Sequence, residues 1–263
     1  MNKVERPEPT NFQSLPNGQE IRNVMRAMRE IMWGRKEIIG PLILETHALI
    51  KAGPNNYSQE NKLNIAFLGS GHGGDAAAIM RSFSEKGSPI NPEAVRPMVL
   101  DNNIESVVLA RGLNEQENVR VDYVVADARS PALKPNITIM ANLIHHLFDK
   151  EAAETIKASA QLSQLGCIVF EPAKSQIAEF VVPRLAAMSR KNPDLSPEAV
   201  NEVVRQSRES YIYAHDKKSF DGLASEVIKE TDLTAQVKFQ FPWFLTMVVS
   251  NNPQVVSSFR SSK

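Results

Sequence analysis

The chain contains 263 residues, which is enough for one large domain with a sizeable core, with or without a small appendage. Lysine plus arginine and aspartate plus glutamate number 30 each, so the sequence lacks the overall basic charge that is typical of nucleic-acid-binding proteins. The single cysteine, Cys167, excludes an internal disulfide and favours a reducing compartment. No cysteine and histidine pair has structural zinc spacing, so no metal site is predicted.

The N-terminal segment, residues 1–17, is polar and contains prolines, which predicts a flexible arm. It has no apolar signal core, and no apolar run elsewhere is long enough to span a bilayer, so we expect a cytoplasmic protein without a membrane span. Apolar residues recur at helical spacing from Gln19, which predicts an amphipathic helix. Gly40 and Pro41 predict a break, with a second helix that begins at Pro41 and ends before Gly53.

From Leu63 to about Ala173, short apolar strands alternate with helices. The predicted strands are LNIAFL, RPMVL, VRVDYVV, NITIMANL and GCIVF, and the predicted helices cover 74–86, 102–114 and 149–163. This alternation predicts a parallel sheet with helices on both faces. Ligands of such sheets bind outside the carboxyl ends of the strands, near the point where the strand order reverses.

The first strand leads into the glycine-rich stretch AFLGSGHGGD, which fits two ligand motifs. Gly69, Gly71 and Gly74 have the G-x-G-x-x-G spacing of a dinucleotide site. Gly69, Gly71 and Gly73 have the G-x-G-x-G spacing of an S-adenosylmethionine (SAM) site. Glycines allow a ligand to approach the backbone closely, and the next helix offers free N–H groups, so both spacings predict a nucleotide-like ligand. A turn that merely joins a strand to a helix is the alternative.

Polar residues also stand at the ends of the later strands. They are Asp101, Asp127, the group Asn142, His145 and His146, and Glu171 before Pro172. A carboxylate at the end of the second strand can accept hydrogen bonds from the hydroxyls of a ribose, and one at the end of the third from an adenine amine. We therefore expect these side chains to line one cleft.

These segments resemble the class I SAM-dependent methyltransferases. LGSGHG is similar to the glycine motif of that family, Leu100-Asp101 to its acidic strand end, and residues 126–128 to its adenine-contacting segment. NLIHHLFD resembles the N-x-L-H-H-L-x-D element of small-molecule members, and GCIVFEP resembles their fifth strand. A dinucleotide-binding dehydrogenase accounts for the glycines but not for these two elements, so the resemblance favours SAM.

The resemblance continues to about residue 250. HDKKSFDGLASEVI is similar to the late helix of the family, and VKFQFPWFLTMVVSN to its sixth and seventh strands, which are antiparallel. The implied fold is α/β, a Rossmann-like, mostly parallel seven-stranded sheet with an antiparallel last strand, helices on both faces and a helical lid. The implied domains are an arm (1–17), an N-terminal lid segment (18–60) and a SAM-binding domain (61–263) with a helical insert at about 175–213.

The resemblance also implies roles for individual residues. The implied cofactor-binding residues are Gly69, Ser70, Gly71, Asp101, Asn102, Asp127, Ala128, Asn142 and Leu143, and His146, Tyr211 and Trp243 are implied to bind substrate. His145 occupies the position of a histidine base, with a pocket-shaping role as the alternative. The family usually has an acid two residues before the first glycine, and this chain has Phe67 there.

The expected substrate is a small, partly apolar molecule with an oxygen or carbon acceptor. No N/D-P-P-Y/F/W motif ends the fourth strand, which disfavours methylation of nucleic-acid bases. In the ubiquinone/menaquinone and plant O-methyltransferase groups, helices cover the substrate at the places that correspond to 19–53 and 175–213. The resemblance thus implies an apolar cavity, with candidate lining residues Phe180, Met188, Tyr211, Tyr213 and Trp243.

Two other functions remain open. One is an NAD(P)-binding Rossmann oxidoreductase, which the glycines alone would explain equally well. The other is a non-catalytic interaction protein with the SAM-binding fold, for which the departure at Phe67 leaves room. A homodimer is compatible with the sequence.

Overall fold

A computed structural model of the chain describes residues 18–54, 56–130, 133–173, 183–184, 187–188, 190–211, 214–240 and 244–258. The helices are α1 (Gly18–Trp33), α2 (Lys36–Ala52), α3 (Gly74–Phe83), α4 (Ile104–Gln116), α5 (Asp149–Leu162), α6 (Pro197–Tyr211), α7 (Lys217–Ile228) and α8 (Pro253–Ser258). The strands are β1 (Leu63–Leu68), β2 (Val95–Asp101), β3 (Asp122–Val125), β4 (Ile137–Ala141), β5 (Gly166–Pro172), β6 (Thr234–Gln240) and β7 (Phe244–Ser250). The predicted arm, residues 1–17, lies outside the described residues.

The strands form one sheet in the order β3-β2-β1-β4-β5-β7-β6. Strands β1 to β5 are parallel, whereas β7 is antiparallel to both β5 and β6. This confirms the predicted fold class, including the antiparallel last strand. Because parallel strands end at the same edge, the carboxyl ends of β1 to β5 meet there, and the strand order reverses between β1 and β4.

The sheet has an apolar core on each face, and β1 contributes to both through its alternation. Ile65 and Phe67 belong to the cluster that contains the buried faces of α1, α2 and α3. Ala66 and Leu68 belong to the opposite cluster, which contains α5 and α7. Phe67 is therefore a core residue with no exposed surface, and a carboxylate at its position would be buried among apolar side chains.

The two N-terminal helices share the core of the first face. Val24, Ile31, Leu42 and Leu49 are at most 2% exposed and belong to the same cluster as β1. Helix α6 joins this cluster through Ala199 and packs against α1. The helices predicted to form a lid are thus continuous with the core of the sheet domain.

The predicted break at Gly40-Pro41 is wrong. The helices separate at Gly34, whose N–H donates to the carbonyls of Arg29 and Glu30 at 3.0 and 3.2 Å, and α2 runs through Pro41. A proline in the second helical turn removes a single backbone hydrogen bond. Burial of Ile38 together with the rest of the apolar face of α2 outweighs that loss.

Strand β7 has no exposed face. All seven residues of β7 are buried, because this strand lies between β5 and β6 and is covered on both faces. Strand β6 is the edge strand, and its Phe239 is 50% exposed. Among the described residues, no helix combines the length and the hydropathy needed to cross a bilayer.

Candidate active site

The glycine loop after β1 uses the G-x-G-x-G spacing. Gly69, Gly71 and Gly73 have φ angles of 61°, 53° and 68°, in the left-handed region that favours glycine. Gly74 is the first residue of α3 and has an ordinary φ angle; a Cβ atom there would collide with the ring of Trp33. The backbone therefore requires the first three glycines for the turn and the fourth for close packing.

Alanine substitutions at Gly69 and Gly71 separate the loss of stability caused by backbone strain from the loss caused by a side-chain collision. Alanine at Gly69 or Gly71 must adopt a positive φ, which costs about 1 kcal/mol in the free energy of unfolding. Only at Gly69 would the new Cβ also collide with the side chain of Leu143, whereas Gly71 faces open space. We expect Gly69→Ala to lose about 1 kcal/mol more than Gly71→Ala in denaturant unfolding. Equal losses would show that Leu143 does not pack against the loop.

Asp101, at the end of β2, ties the glycine loop to the neighbouring strand. Its Oδ2 accepts a hydrogen bond from the Gly71 N–H at 2.9 Å, and its Oδ1 accepts one from the Asn103 N–H at 2.9 Å. Burial raises the pKa of this carboxyl, and the two backbone hydrogen bonds oppose that rise. A carboxylate offers about four acceptor positions, so Asp101 retains capacity for hydroxyl donors. The adjacent Asn102 is exposed.

Asp127, after β3, is held by Arg129. The Arg129 side chain donates to both carboxylate oxygens at 2.7 to 3.0 Å, and its backbone N–H donates to Oδ1 at 2.9 Å. The Arg129 hydrogen bonds hold the pKa of Asp127 below its usual range. The predicted adenine acceptor is therefore an ionised carboxylate that already has a bidentate partner. Ala128 is half-buried against the core on the α5 and α7 face.

The turn after β4 is organised by one buried carboxylate, Glu171 of β5. Glu171 Oε1 accepts the N–H groups of Leu143 and Ile144 at 2.7 and 2.8 Å, and Oε2 lies 2.7 Å from His145 Nδ1. Asn142 has a positive φ of 58°, and its buried Oδ1 has no hydrogen-bond partner among the described residues. Glu171 is fully buried, and its carboxylate contacts three successive residues of this turn.

The geometry sets the tautomer of His145. A carboxylate oxygen accepts a hydrogen bond from a ring N–H, so we assign the proton of the neutral ring to Nδ1. His145 is 2% exposed, and its ring centroid lies 4.1 Å from that of the half-buried His146. Helix α6 packs against this turn. The arrangement is a carboxylate and histidine pair at the edge of the sheet where the glycine loop lies.

The residues that the sequence predicts to bind the cofactor lie along the edge formed by the carboxyl ends of the parallel strands. Most of those that it predicts to contact the substrate lie outside the described residues. Trp243, Tyr213 and Phe180 fall outside the described residues, and Tyr211 is described only as the last backbone position of α6. Met188 is half-buried and packs against the first core. Sequence reasoning placed Glu171 at a strand end but did not include it among the site residues; the FEP ending of β5 was the available signal.

No protein family model matches the chain, and no curated protein is similar to it in sequence. Among solved structures, it is similar to magnesium protoporphyrin IX methyltransferase from Synechocystis PCC 6803, with a TM-score of 0.53, 10% identity and coverage of 92% of this chain and 94% of that one. Human N-acetylserotonin methyltransferase has a TM-score of 0.54 at 14% identity, over 94% of this chain and 60% of that one.

An O-methyltransferase family protein from Burkholderia thailandensis has a TM-score of 0.55 at 11% identity, over 92% of this chain and 61% of that one. The chain thus spans about three fifths of the human and Burkholderia proteins. The order of the seven strands and the antiparallel β7 are features of this chain's own structure and do not depend on these similarities. Together they show that the chain has the fold of the SAM-dependent methyltransferases.

Proposed function

We propose that the protein is a SAM-dependent methyltransferase that transfers a methyl group to an oxygen atom of a small, partly apolar molecule. The observation that carries the proposal is the joining of a G-x-G-x-G loop, through Gly71 and Asp101, to the edge where Glu171 holds His145. Solved structures of the magnesium protoporphyrin IX methyltransferase contain bound SAM or S-adenosylhomocysteine, which supports the choice of cofactor.

The residues present fit such a cofactor. No atom lies within 4 Å of a Cβ placed on Gly71, so the loop leaves space for a close ligand, and the buried Oδ1 of Asn142 lacks a partner. Asp101 would accept from the ribose hydroxyls, and the glycine loop would lie against the rest of the ligand. The bound cofactor would supply a methyl group on a positively charged sulfur.

In this proposal, the chain orients the methyl donor and the acceptor and removes the proton of the acceptor hydroxyl. His145 Nε2 would accept the proton of an acceptor hydroxyl, and Glu171 would stabilise the resulting imidazolium through Nδ1. Helices α1 and α6, which pack against each other, would exclude water above the site. A base of this kind serves a hydroxyl or a carbon acid, and the similarity to an O-methyltransferase family protein supports the choice of an oxygen acceptor.

Cofactor titration tests the proposal. SAM and S-adenosylhomocysteine should bind with measurable calorimetric heat, and ligand at about 100 times its dissociation constant should stabilise the fold by about 2.7 kcal/mol. The control ligand is NAD. Stabilisation by NAD and not by SAM would identify an oxidoreductase, and SAM binding without turnover on any acceptor would identify the non-catalytic interaction protein. The cytoplasmic location, the absence of a nucleic-acid partner and a homodimer stay predictions from the sequence.

A further inference from the structure

Two oppositely charged side chains beside the glycine loop are buried and incompletely paired. Arg29 of α1 is 4% exposed, and Asp75 of α3 is 1% exposed. Arg29 Nη1 and Asp75 Oδ2 are both shielded from water and have no hydrogen-bond partner among the described residues. Buried charged atoms without partners are costly, so each of them needs an explanation.

One half of the Asp75 carboxylate is satisfied by the glycine loop. Oδ1 accepts the hydroxyl of Ser70, which stands between the first two glycines, and the N–H of Ala76 at 2.8 Å. Burial raises the pKa of Asp75 from 3.8 to about 6. The second oxygen therefore has no hydrogen-bond donor beside the loop, and a cation that donates a hydrogen bond would satisfy it.

Arg29 reaches the same loop from α1. Its Nη2 donates to Asn114 Oδ1 and lies 3.5 Å from both the Gly73 carbonyl oxygen and Glu117 Oε2. Burial lowers the pKa of the guanidinium, and the charge of Glu117 opposes this. Arg29 thus has hydrogen bonds on one nitrogen, while the other offers donors that an anion could accept.

The two charges would neutralise each other in a direct ion pair, but that pair does not form. Arg29 pairs with Glu117 at 3.5 Å, and no ion pair joins it to Asp75. Two opposite charges that contact the same loop without pairing match a molecule that carries both charges. An α-amino acid group is the simplest such molecule, because it has an ammonium and a carboxylate on one carbon atom.

We propose that Asp75 and Arg29 bind the amino-acid end of the cofactor, with Asp75 Oδ2 accepting from its ammonium group and Arg29 Nη1 donating to its carboxylate. This inference rests on the proposed function. Asp75 then takes the place of the acid that the chain lacks at Phe67, a position filled by the core. Because both atoms are shielded from water in this structure, binding requires a small opening between α1 and the loop 69–73.

Three adenosine ligands separate the two contacts when their affinities are measured by calorimetry on the full chain. S-adenosylhomocysteine carries the ammonium and the carboxylate, its decarboxylated form carries only the ammonium, and 5′-methylthioadenosine carries neither; all three are uncharged at sulfur. Asp75→Asn should weaken the first two by roughly 10-fold or more and leave methylthioadenosine unchanged. Arg29→Gln should weaken S-adenosylhomocysteine by a similar factor and leave the other two unchanged. The control is Glu45→Gln, a buried acid on α2, which should affect none of the ligands.

Binding of methylthioadenosine by each variant shows that its site is folded, so a misfolded variant cannot imitate the result. Equal weakening of all three ligands would overturn the inference and assign the two residues to the fold alone. Unchanged affinity for all three would overturn it as well, with a buried water as the missing partner. If the wild-type chain binds none of the three, the proposed function fails, and this inference fails with it.

The pH dependence of stability provides a second readout without any cofactor. Below pH 3.8 the Asp75 carboxyl is protonated in the folded and the unfolded chain; above it the unfolded chain loses its proton first, so the folded chain loses stability until about pH 6. Arg29 is the charged group acting on Asp75, and the other titratable groups nearby are His72 in the loop and His47 of α2, which bonds Ser82.

Asp75→Asn keeps the acceptor for Ser70 and Ala76 and removes the buried charge. We expect the variant to melt at a higher temperature than the wild type at pH 7, and the difference should shrink as the pH falls towards 4. Saturating S-adenosylhomocysteine should reverse the order, because only the wild type gains the ammonium contact. A variant that melts lower at pH 7 without ligand would mean that the carboxylate serves the fold, and it would overturn the inference.

Discussion

Replacing His145 with alanine is expected to lower single-turnover methyl transfer to a hydroxyl acceptor by roughly 100-fold or more, while SAM affinity stays nearly unchanged. The reason is geometric. Glu171 lies 2.7 Å from Nδ1 and fixes the orientation of the ring, and Nε2 is the atom that we propose to accept the acceptor proton. Removing the imidazole removes the proposed base but leaves in place the glycine loop and Asp101, which we propose to hold the cofactor.

Glu171→Gln tests the same histidine and carboxylate pair through its carboxylate. Glutamine keeps one oxygen for the Leu143 and Ile144 N–H groups, but its amide nitrogen cannot accept from Nδ1–H. Turnover should therefore fall as in His145→Ala, and the double variant should be no slower than the single ones, because the two residues act together. If affinity and turnover fall together and only modestly, His145 shapes the pocket and is not a base.

Asp101→Ala is expected to weaken SAM and S-adenosylhomocysteine by about 1.5 to 3 kcal/mol for each hydroxyl hydrogen bond that is lost. The substitution also releases the N–H groups of Gly71 and Asn103, which loosens the glycine loop. The matched control is Asp122→Ala, an acid at the start of β3, which is half exposed, pairs with Arg96 and lies at the opposite edge of the sheet. This control should leave affinity unchanged.

An analogue without the ribose hydroxyls separates the two effects of Asp101→Ala. Such an analogue of S-adenosylhomocysteine should lose affinity for the wild type, yet the variant should bind it about as well as it binds the parent ligand. Calorimetric titration of both proteins with both ligands measures this coupling. Wild-type affinity in Asp101→Ala would place the ribose elsewhere and reopen the cofactor assignment of the whole cleft.

Much of the fold could be predicted from the sequence because its signals are local. The alternation of strands and helices predicted the parallel sheet, and the family resemblance implied the antiparallel pair that β6 and β7 form. The prediction at Pro41 failed because proline chemistry is a local rule, whereas the continuity of α2 depends on its contacts with α3 and β5. The uniform burial of β7 likewise depends on its two neighbours in the sheet.

The candidate site divides in the same way. The sequence indicated positive φ angles at Gly69, Gly71 and Gly73, because only glycine tolerates those angles without strain. It also indicated a carboxylate at the end of β2. The sequence therefore determined by itself that a tight glycine turn follows β1. Its two spacings could not by themselves name the ligand.

The partners of the charged side chains were decided only by the tertiary structure. Glu171 and His145 are 26 residues apart and meet because β4 and β5 are adjacent and parallel. Arg29 and Asp75 lie on different helices, and α1 had to pack across α3 before their unpaired atoms flanked one loop. Burial sets the need for a partner, and burial is a property of the folded chain, so no local pattern could reveal which polar groups would meet.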